Sequence, residues 1–497
     1  MNGKRWTGLK EVTNQAPVLR KTYSVPADND LKGLSKPELI QLVSQLRSRL
    51  QDFAGPVARL MFMLTIAALP WRLRLSLLAR PQGVIFGDYT DFLLFLPDIL
   101  LLATLSLWLL SLLQRPRPVN LGPAFISLPL IGVSLMGLVS VIGSSDPALS
   151  IYHSVRLLFL FGFYLYVVNE VHTIAELALP AGLLVFSQAV VSTLQVLSQH
   201  SIQLQVLGEY PLDPSWSGVS IVSVNGVNFL RAYGLSDHPN ILGGCLAFAL
   251  LILSVKYATA RPGSWSSILS ALVGMGGLAL LMTLSRSAWL AFGAGSILVG
   301  WLFFQSNQAQ TGQRWVRLYT SSFIFLIPFL LYLAPYVGVR LGFNASFENA
   351  PLEEQSLGER QLLNQAANQL FSEQPLTGAG LGAFPVALRE KFPDYPLDYQ
   401  PAHLVLLVAA AETGIFGALF YTLLITAPWL ALWLSRKQIH FTPSLIGASA
   451  LLLAISLVGL FDYYTWLLVP GRLLSWLSWG LWGSFYLDAR RSEHRHA

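Results

Sequence analysis

The chain of 497 residues has little charge and almost no cysteine. Charged residues make up 12% of it, and cysteine occurs once, as Cys245 inside an apolar run. A single cysteine rules out an intramolecular disulfide framework. So few charges, set against 54% hydrophobic residues and a mean hydropathy of +0.54, rule out an ordinary soluble domain. The composition is that of a polytopic membrane protein. Internal repeats and low-complexity tracts are missing. So is an apolar core with a small-residue cleavage site near the start, and the first spanning helix is therefore expected to act as the insertion signal. Dense Asp/Glu or His/Cys ligand clusters are also missing, so neither a metal nor a cofactor is expected. The net charge of +6 is not a nucleic-acid footprint, because in such a chain the distribution over loops outweighs the sum.

What the sequence does have is long apolar runs. Stretches long enough to cross a bilayer, about 20 residues with shorter ones allowed by tilt, fall near 57–71, 92–113, 124–142, 151–168, 176–197 and 239–257. A second set falls near 265–284, 287–304, 316–335, 413–434, 444–462 and 471–487. The expected fold is an all-α polytopic membrane protein with about 12 transmembrane helices. Residues 1–56 form an N-terminal segment, 57–335 carry spans 1–9, and 336–402 form a large external loop. Residues 403–487 return to the membrane with spans 10–12, and 488–497 form the tail. In the N-terminal segment, Leu39, Val43, Leu46, Leu50 and Phe53 have helical spacing behind a capping box of Ser35 and Glu38, which predicts an amphipathic helix.

Even numbering puts both termini on one side, and positive charge assigns that side to the cytoplasm. Arg115, Arg117, Lys256, Arg261, Arg314, Arg317, Arg436, Lys437, Arg490 and Arg491 all fall in loops or tail expected to be cytoplasmic. Acidic residues dominate 336–402. Only Arg72, Arg74 and Arg80, after the first span, break the pattern.

With that orientation, basic groups from separate helices collect at the outer face. Arg231 and His238, in "RAYGLSDHPN", lie at the mouth of the sixth span. Arg156 is just inside the outer end of the fourth, Arg286 of "TLSRSAW" sits at the hairpin between the seventh and eighth, and His403 lies where the chain re-enters the membrane. Taken singly, an arginine at a helix end snorkels and a histidine caps or packs; Asp237 before Pro239 reads as a helix N-cap. The functional case rests on convergence. A guanidinium forks onto phosphate with two hydrogen bonds and cannot be titrated away, so the cluster fits an anionic lipid, a lipid diphosphate being the chemically useful kind.

The loop 336–402 is too long for a simple connector. Its "GERQLLNQAANQLFSE" predicts a helix with Leu362, Ala366, Leu370 and Leu363 toward one face, stopped by Pro375. Gly378, Gly380 and Gly382 lack the strand and spacing of a nucleotide loop; they are expected to let backbone approach a neighbour or a lipid headgroup. On one continuous helix, Glu412 would lie nearly opposite His403, so the two are not expected to pair.

In order, spacing and sidedness, "RAYGLSDHPN", "SRSAW", "GER…PLTGAGLGAF" and "HLVLLVAAAETGIFG" resemble the O-antigen ligase and polymerase superfamily over roughly residues 90–480. The resemblance implies a GT-C-like glycosyltransferase of the bacterial inner membrane. It would transfer a glycan from undecaprenyl diphosphate to an acceptor hydroxyl on a glycan, lipid or protein at the periplasmic face, with inversion and without a metal ion. It implies that Arg231 and Arg286 bind the donor diphosphate and that His403 is catalytic; Arg156, by its place at the same face, is expected to join the two arginines, and His238, Arg360 and Glu412 are candidates for supporting roles. Gly414 and Gly417 fit the ligase spacing after His403, while Leu404 stands where ligases commonly carry Asn, Ser or Gln, which favours polymerase-like members. The rival readings are a flippase of lipid-linked sugars, disfavoured by charges at one face and missing repeats, and a lipid-diphosphate hydrolase.

Overall fold

The computed structural model describes residues 53–306, 308–342 and 350–493. The amphipathic helix expected at 34–53 lies, but for its last residue, outside them. The described chain is mostly helical, and nine of its helices are long and apolar enough to cross a membrane. Helices prevail because a segment in hydrocarbon must satisfy its own backbone donors and acceptors, and an α-helix does so within itself.

The order begins with α1 (Ala54–Ala67), a hairpin of β1 (Arg74–Leu78) and β2 (Phe92–Phe95), then α2 (Leu96–Gln114), α3 (Ala124–Val139), α4 (Pro147–Glu170) and α5 (Ala178–Ser198). A second hairpin, β3 (Ile221–Val224) and β4 (Val227–Leu230), precedes α6 (Pro239–Thr259), α7 (Ser264–Met282), α8 (Arg286–Gln305) and α9 (Ala309–Leu341). After these come α10 (Ala350–Glu373), α11 (Phe384–Lys391), α12 (Val405–Leu434), α13 (Pro443–Gly459), α14 (Tyr464–Leu467) and α15 (Val469–Glu493). Each of the twelve expected spans falls on a helix. α1 and α13 are shorter than the nine membrane-length helices, α15, which carries the last expected span, is not among the nine, and the ninth expected span, 316–335, is one part of the longer α9.

Local chemistry sets the helix starts. Proline stands in the first turn of α2, α4, α6 and α13, where its missing N–H costs nothing. Asp146 caps α4 by accepting from Leu149 N at 3.1 Å, and Thr442 caps α13 from Leu445 N at 3.2 Å. The cap of α6 differs from the sequence expectation. His238, not Asp237, is the N-cap, its Nδ1 accepting from Asn240 N at 3.1 Å. Asp237 is held away from that role by Arg72 and Arg74, to which it is ion-paired.

Two further expectations change. The fold is not purely α, because each two-stranded antiparallel hairpin leads into a helix. In the second, Asn225 and Gly226 form the turn with φ of 52° and 79°, the left-handed pair that matches strand twist. On α10 the buried face is Leu363, Ala366, Ala367 and Leu370, while Leu362 is 40% exposed.

At the centre α6 is buried almost all round, packed by α5, α7, α8, α9 and α13. Beside it, α15 packs on α4 and α13, and α3 on α12. α12 is broken at Gly414, whose φ of 70° and ψ of −174° leave the helical region. The segment 374–383 fills the break: Ala379 N donates to Ala411 O at 2.8 Å, Gly380 N to Glu412 O at 3.1 Å, and Ile415 N to Pro375 O at 2.8 Å. A Cβ on Gly378 would lie 2.3 Å from the Glu412 carbonyl carbon. Gly378 therefore lets backbone approach backbone, while Gly380 and Gly382 lie against the side chains of Ser144 and His153, in keeping with the first of the two expectations for them, approach to a neighbour.

Candidate functional site

The ends of the helices bring several loops to one face of the bundle. The segment after α1 reaches the start of α6, with Arg72 N donating to Leu235 O at 2.7 Å. Arg74 pairs with Asp88 at 2.6 Å, and Arg80 with Asp146 at 2.8 Å. The three arginines that broke the charge pattern thus have carboxylate partners at this face.

Between these loops lies a cavity of about 520 Å³, polar in the sense that charged and hydroxyl groups share its wall with apolar side chains. Its wall includes Asp88, Asp237, Asp398 and Asp462, the rings of Tyr89, Tyr233 and Tyr463, and three of the residues singled out from sequence: Arg156, His238 and His403. A second, mainly apolar cavity of about 360 Å³ is lined by α2, α4 and the start of α15, including Leu101, Ile151 and Phe159. Tyr152, Arg156 and Val469 line both.

His403 lies two residues before α12. Its ring stacks on Tyr463 with centroids 5.4 Å apart, and its Nδ1 is buried with no hydrogen-bond partner among the described residues. Burial, and then Arg360, lower its pKa to about 3. His238 is likewise lowered to about 3 by burial, then by Arg231 and His403. Both imidazoles are therefore neutral at neutral pH. Asp237 moves the other way, to about 6, because burial and Asp88 outweigh Arg74 and Arg72.

The arginines sit differently. Arg156 is held by Asp98 through two hydrogen bonds of 2.7 and 2.6 Å and by Leu93 O at 2.9 Å. Arg231 is 4% exposed and is not among the described residues lining the cavity. Its fork donates to Thr283 O at 2.8 Å, Ser220 Oγ at 2.7 Å and Asn240 Oδ1 at 2.6 Å. Asn240 passes the link on, donating to Asp462 Oδ2 at 2.8 Å. Burial and Arg340 lower the Arg231 pKa to about 9, with Arg286 adding to the effect. It remains a cation among cations, in surroundings that favour an incoming anion. Arg286, the first residue of α8, donates to Arg340 O at 3.4 Å and also stands outside the cavity wall. Arg360, on α10, acts on the charges of His403 and Asp462.

Glu412 is fully buried in α12 and lines neither cavity. It accepts from Trp466 Nε1 at 2.7 Å and Phe384 N at 3.4 Å. His403 lies before α12 begins at Val405, so no continuous helix carries both it and Glu412. The sequence reading did not single out Asp98, His153, Asn240, Asp462, Tyr463 and Arg472. Four of them had a signal, since Asp98, His153, Asp462 and Arg472 are ionisable groups in apolar runs. Among the described residues, no group of three or more His, Cys, Asp or Glu side chains is placed to hold a metal ion.

Residues 269–422 match the O-antigen ligase family model, a stretch from α7 through the break in α12 that contains Arg286, Arg360, His403 and Glu412. No curated protein matches the chain.

Proposed function

From a polytopic membrane protein that carries an O-antigen ligase domain at residues 269–422, a domain of glycan-transferring enzymes, we infer a periplasmic-face glycosyltransferase. It moves a glycan from an undecaprenyl-diphosphate donor to an acceptor hydroxyl in polysaccharide biosynthesis, as a ligase or a polymerase. The observation that carries this reading is the pair of cavities, one polar and one apolar, that share Tyr152, Arg156 and Val469. A lipid-linked sugar has the same division: an isoprenoid chain fits the apolar space and the glycan fits among carboxylates and tyrosines, with the phosphates at the junction.

The chemistry is a single displacement. The acceptor oxygen attacks the anomeric carbon, the bond from that carbon to the diphosphate oxygen breaks, and the electron pair leaves with the diphosphate. His403, kept neutral by burial, takes the acceptor proton. Guanidinium groups meet the growing negative charge, and they do so best where water is excluded. Arg156 stands at the junction, while Arg231 and Arg286 supply positive potential from behind the wall. His238, Arg360 and Glu412 act as supports: His238 by ordering the start of α6, Arg360 by its field on His403, and Glu412 by fixing Trp466. In this reading both termini are cytoplasmic, the membrane is the bacterial inner membrane, and the fold is GT-C-like with a large loop after span 9.

The test is reconstitution in proteoliposomes with a lipid-linked glycan and an acceptor glycan. A new glycosidic product that is lost in His403→Ala, with donor binding kept, supports the reading. Release of free phosphate without product would replace it with hydrolysis, and passage of labelled lipid without product would replace it with transport.

A further inference from the structure

Arg472 lies one turn into α15 and is 3% exposed. Nε donates to Trp466 O, and Nη1 lies 3.1 Å from His153 Nδ1. Nη2 is buried with no hydrogen-bond partner among the described residues. Glu412 makes no ion pair with Arg472; its carboxylate is occupied by Trp466 and Phe384. Of the charged residues lining the apolar cavity, Asp98 and Arg156 neutralise each other, which leaves Arg472 as the excess charge. A buried guanidinium donor without an acceptor costs free energy that an anion would return. The anion must also tolerate apolar walls, and it must reach a spot one residue from the polar cavity, since His153 lines that cavity.

Resting on the lipid-linked donor proposed above, we propose that Arg472 binds a phosphate of the polyprenyl diphosphate at the junction of the two cavities, through its unpartnered Nη2. Arg156, tied to Asp98, is then the fixed second wall of the site. Because the contact is to the carrier and not to the sugar, it persists in the released polyprenyl diphosphate and makes that product a competitor of the donor.

The test uses the full chain in nanodiscs and three probes: farnesyl diphosphate, farnesol and inorganic diphosphate. Wild type should bind farnesyl diphosphate at least tenfold more tightly than either of the others. Arg472→Gln should lose that preference while binding farnesol as before, and Arg472→Lys, which keeps the charge but not the fork, should retain part of it. Equal binding of farnesyl diphosphate by wild type and a folded Gln variant overturns the proposal. If the Gln variant does not fold, undiminished binding by the Lys variant overturns it. Arg472-dependent binding by a protein that transfers no glycan upholds this site and sinks the transfer reading instead, so the two failures are distinguishable.

Discussion

Arg231 carries the largest prediction that the geometry allows. Its side chain spans three places in the chain: the end of α7 through Thr283 O, the loop before β3 through Ser220 Oγ, and the first turn of α6 through Asn240 Oδ1. A lysine in its place keeps the charge but can reach one or at most two of the three acceptors, which point in different directions. Hydrogen bonds to a charged group contribute about 1.5–3 kcal/mol each, so losing two costs about 3–6 kcal/mol, before any penalty for the buried acceptors left behind. Asn240, no longer held, also stops orienting Asp462 in the cavity wall. Arg231→Lys should therefore lower the unfolding temperature in detergent, read by intrinsic tryptophan fluorescence, and lower glycan transfer with it. Ser220→Ala, which removes one bond, should show a fraction of both effects. An Arg231→Lys protein that unfolds at the wild-type temperature would refute the reasoning, since lysine cannot keep all three bonds to separate elements.

Two other outcomes follow from the same structure. Gly378→Ala forces an L residue to φ of +70° with its Cβ 2.3 Å from backbone, so it should lower the unfolding temperature and open 374–383 to protease. Left-handed geometry alone costs about 1–2 kcal/mol; Gly293→Ala, where the Cβ meets open space, is the control, and equal behaviour of the two would contradict the docking. For pH, His403 lowered to about 3 should give kcat/KM no acid limb near 6.5, whereas bound donor diphosphate raises the imidazole and shifts the kcat limb upward. A kcat/KM limb near 6.5 that disappears in His403→Gln would contradict this. His238 and His403 bind fewer protons folded than unfolded, so their contribution to stability is full above about 6.5 and is lost as pH falls toward 3.

The helices were legible because hydropathy and proline in the first turn are local signals, and each of the twelve apolar stretches became a helix. The turn at Asn225 and Gly226 is equally local, but a two-residue signal does not register in a hydropathy pattern. Arg156, His238 and His403 were placed at one end of the bundle by counting crossings, and that is where the polar cavity lies. What could not be read was partnership. The Asp237 cap was lost to Arg72, more than 160 positions away, and the role of Arg231 as a three-way tie depends on Thr283 and Ser220, which no spacing rule connects to it. Arg472 shows the same gap. Its significance lies in a donor left without an acceptor, and that is a property of packing, not of the sequence around it.

The break in α12 and the glycine segment that fills it form one unit. The amides and carbonyls released at Gly414 are buried against 374–383, so lifting that segment away would strip them of their partners. That segment is a keystone, hydrogen-bonded into the helix it completes. The stretch beyond it, residues 392–404, has no such helix to complete and runs from the end of α11 past Asp398 to His403.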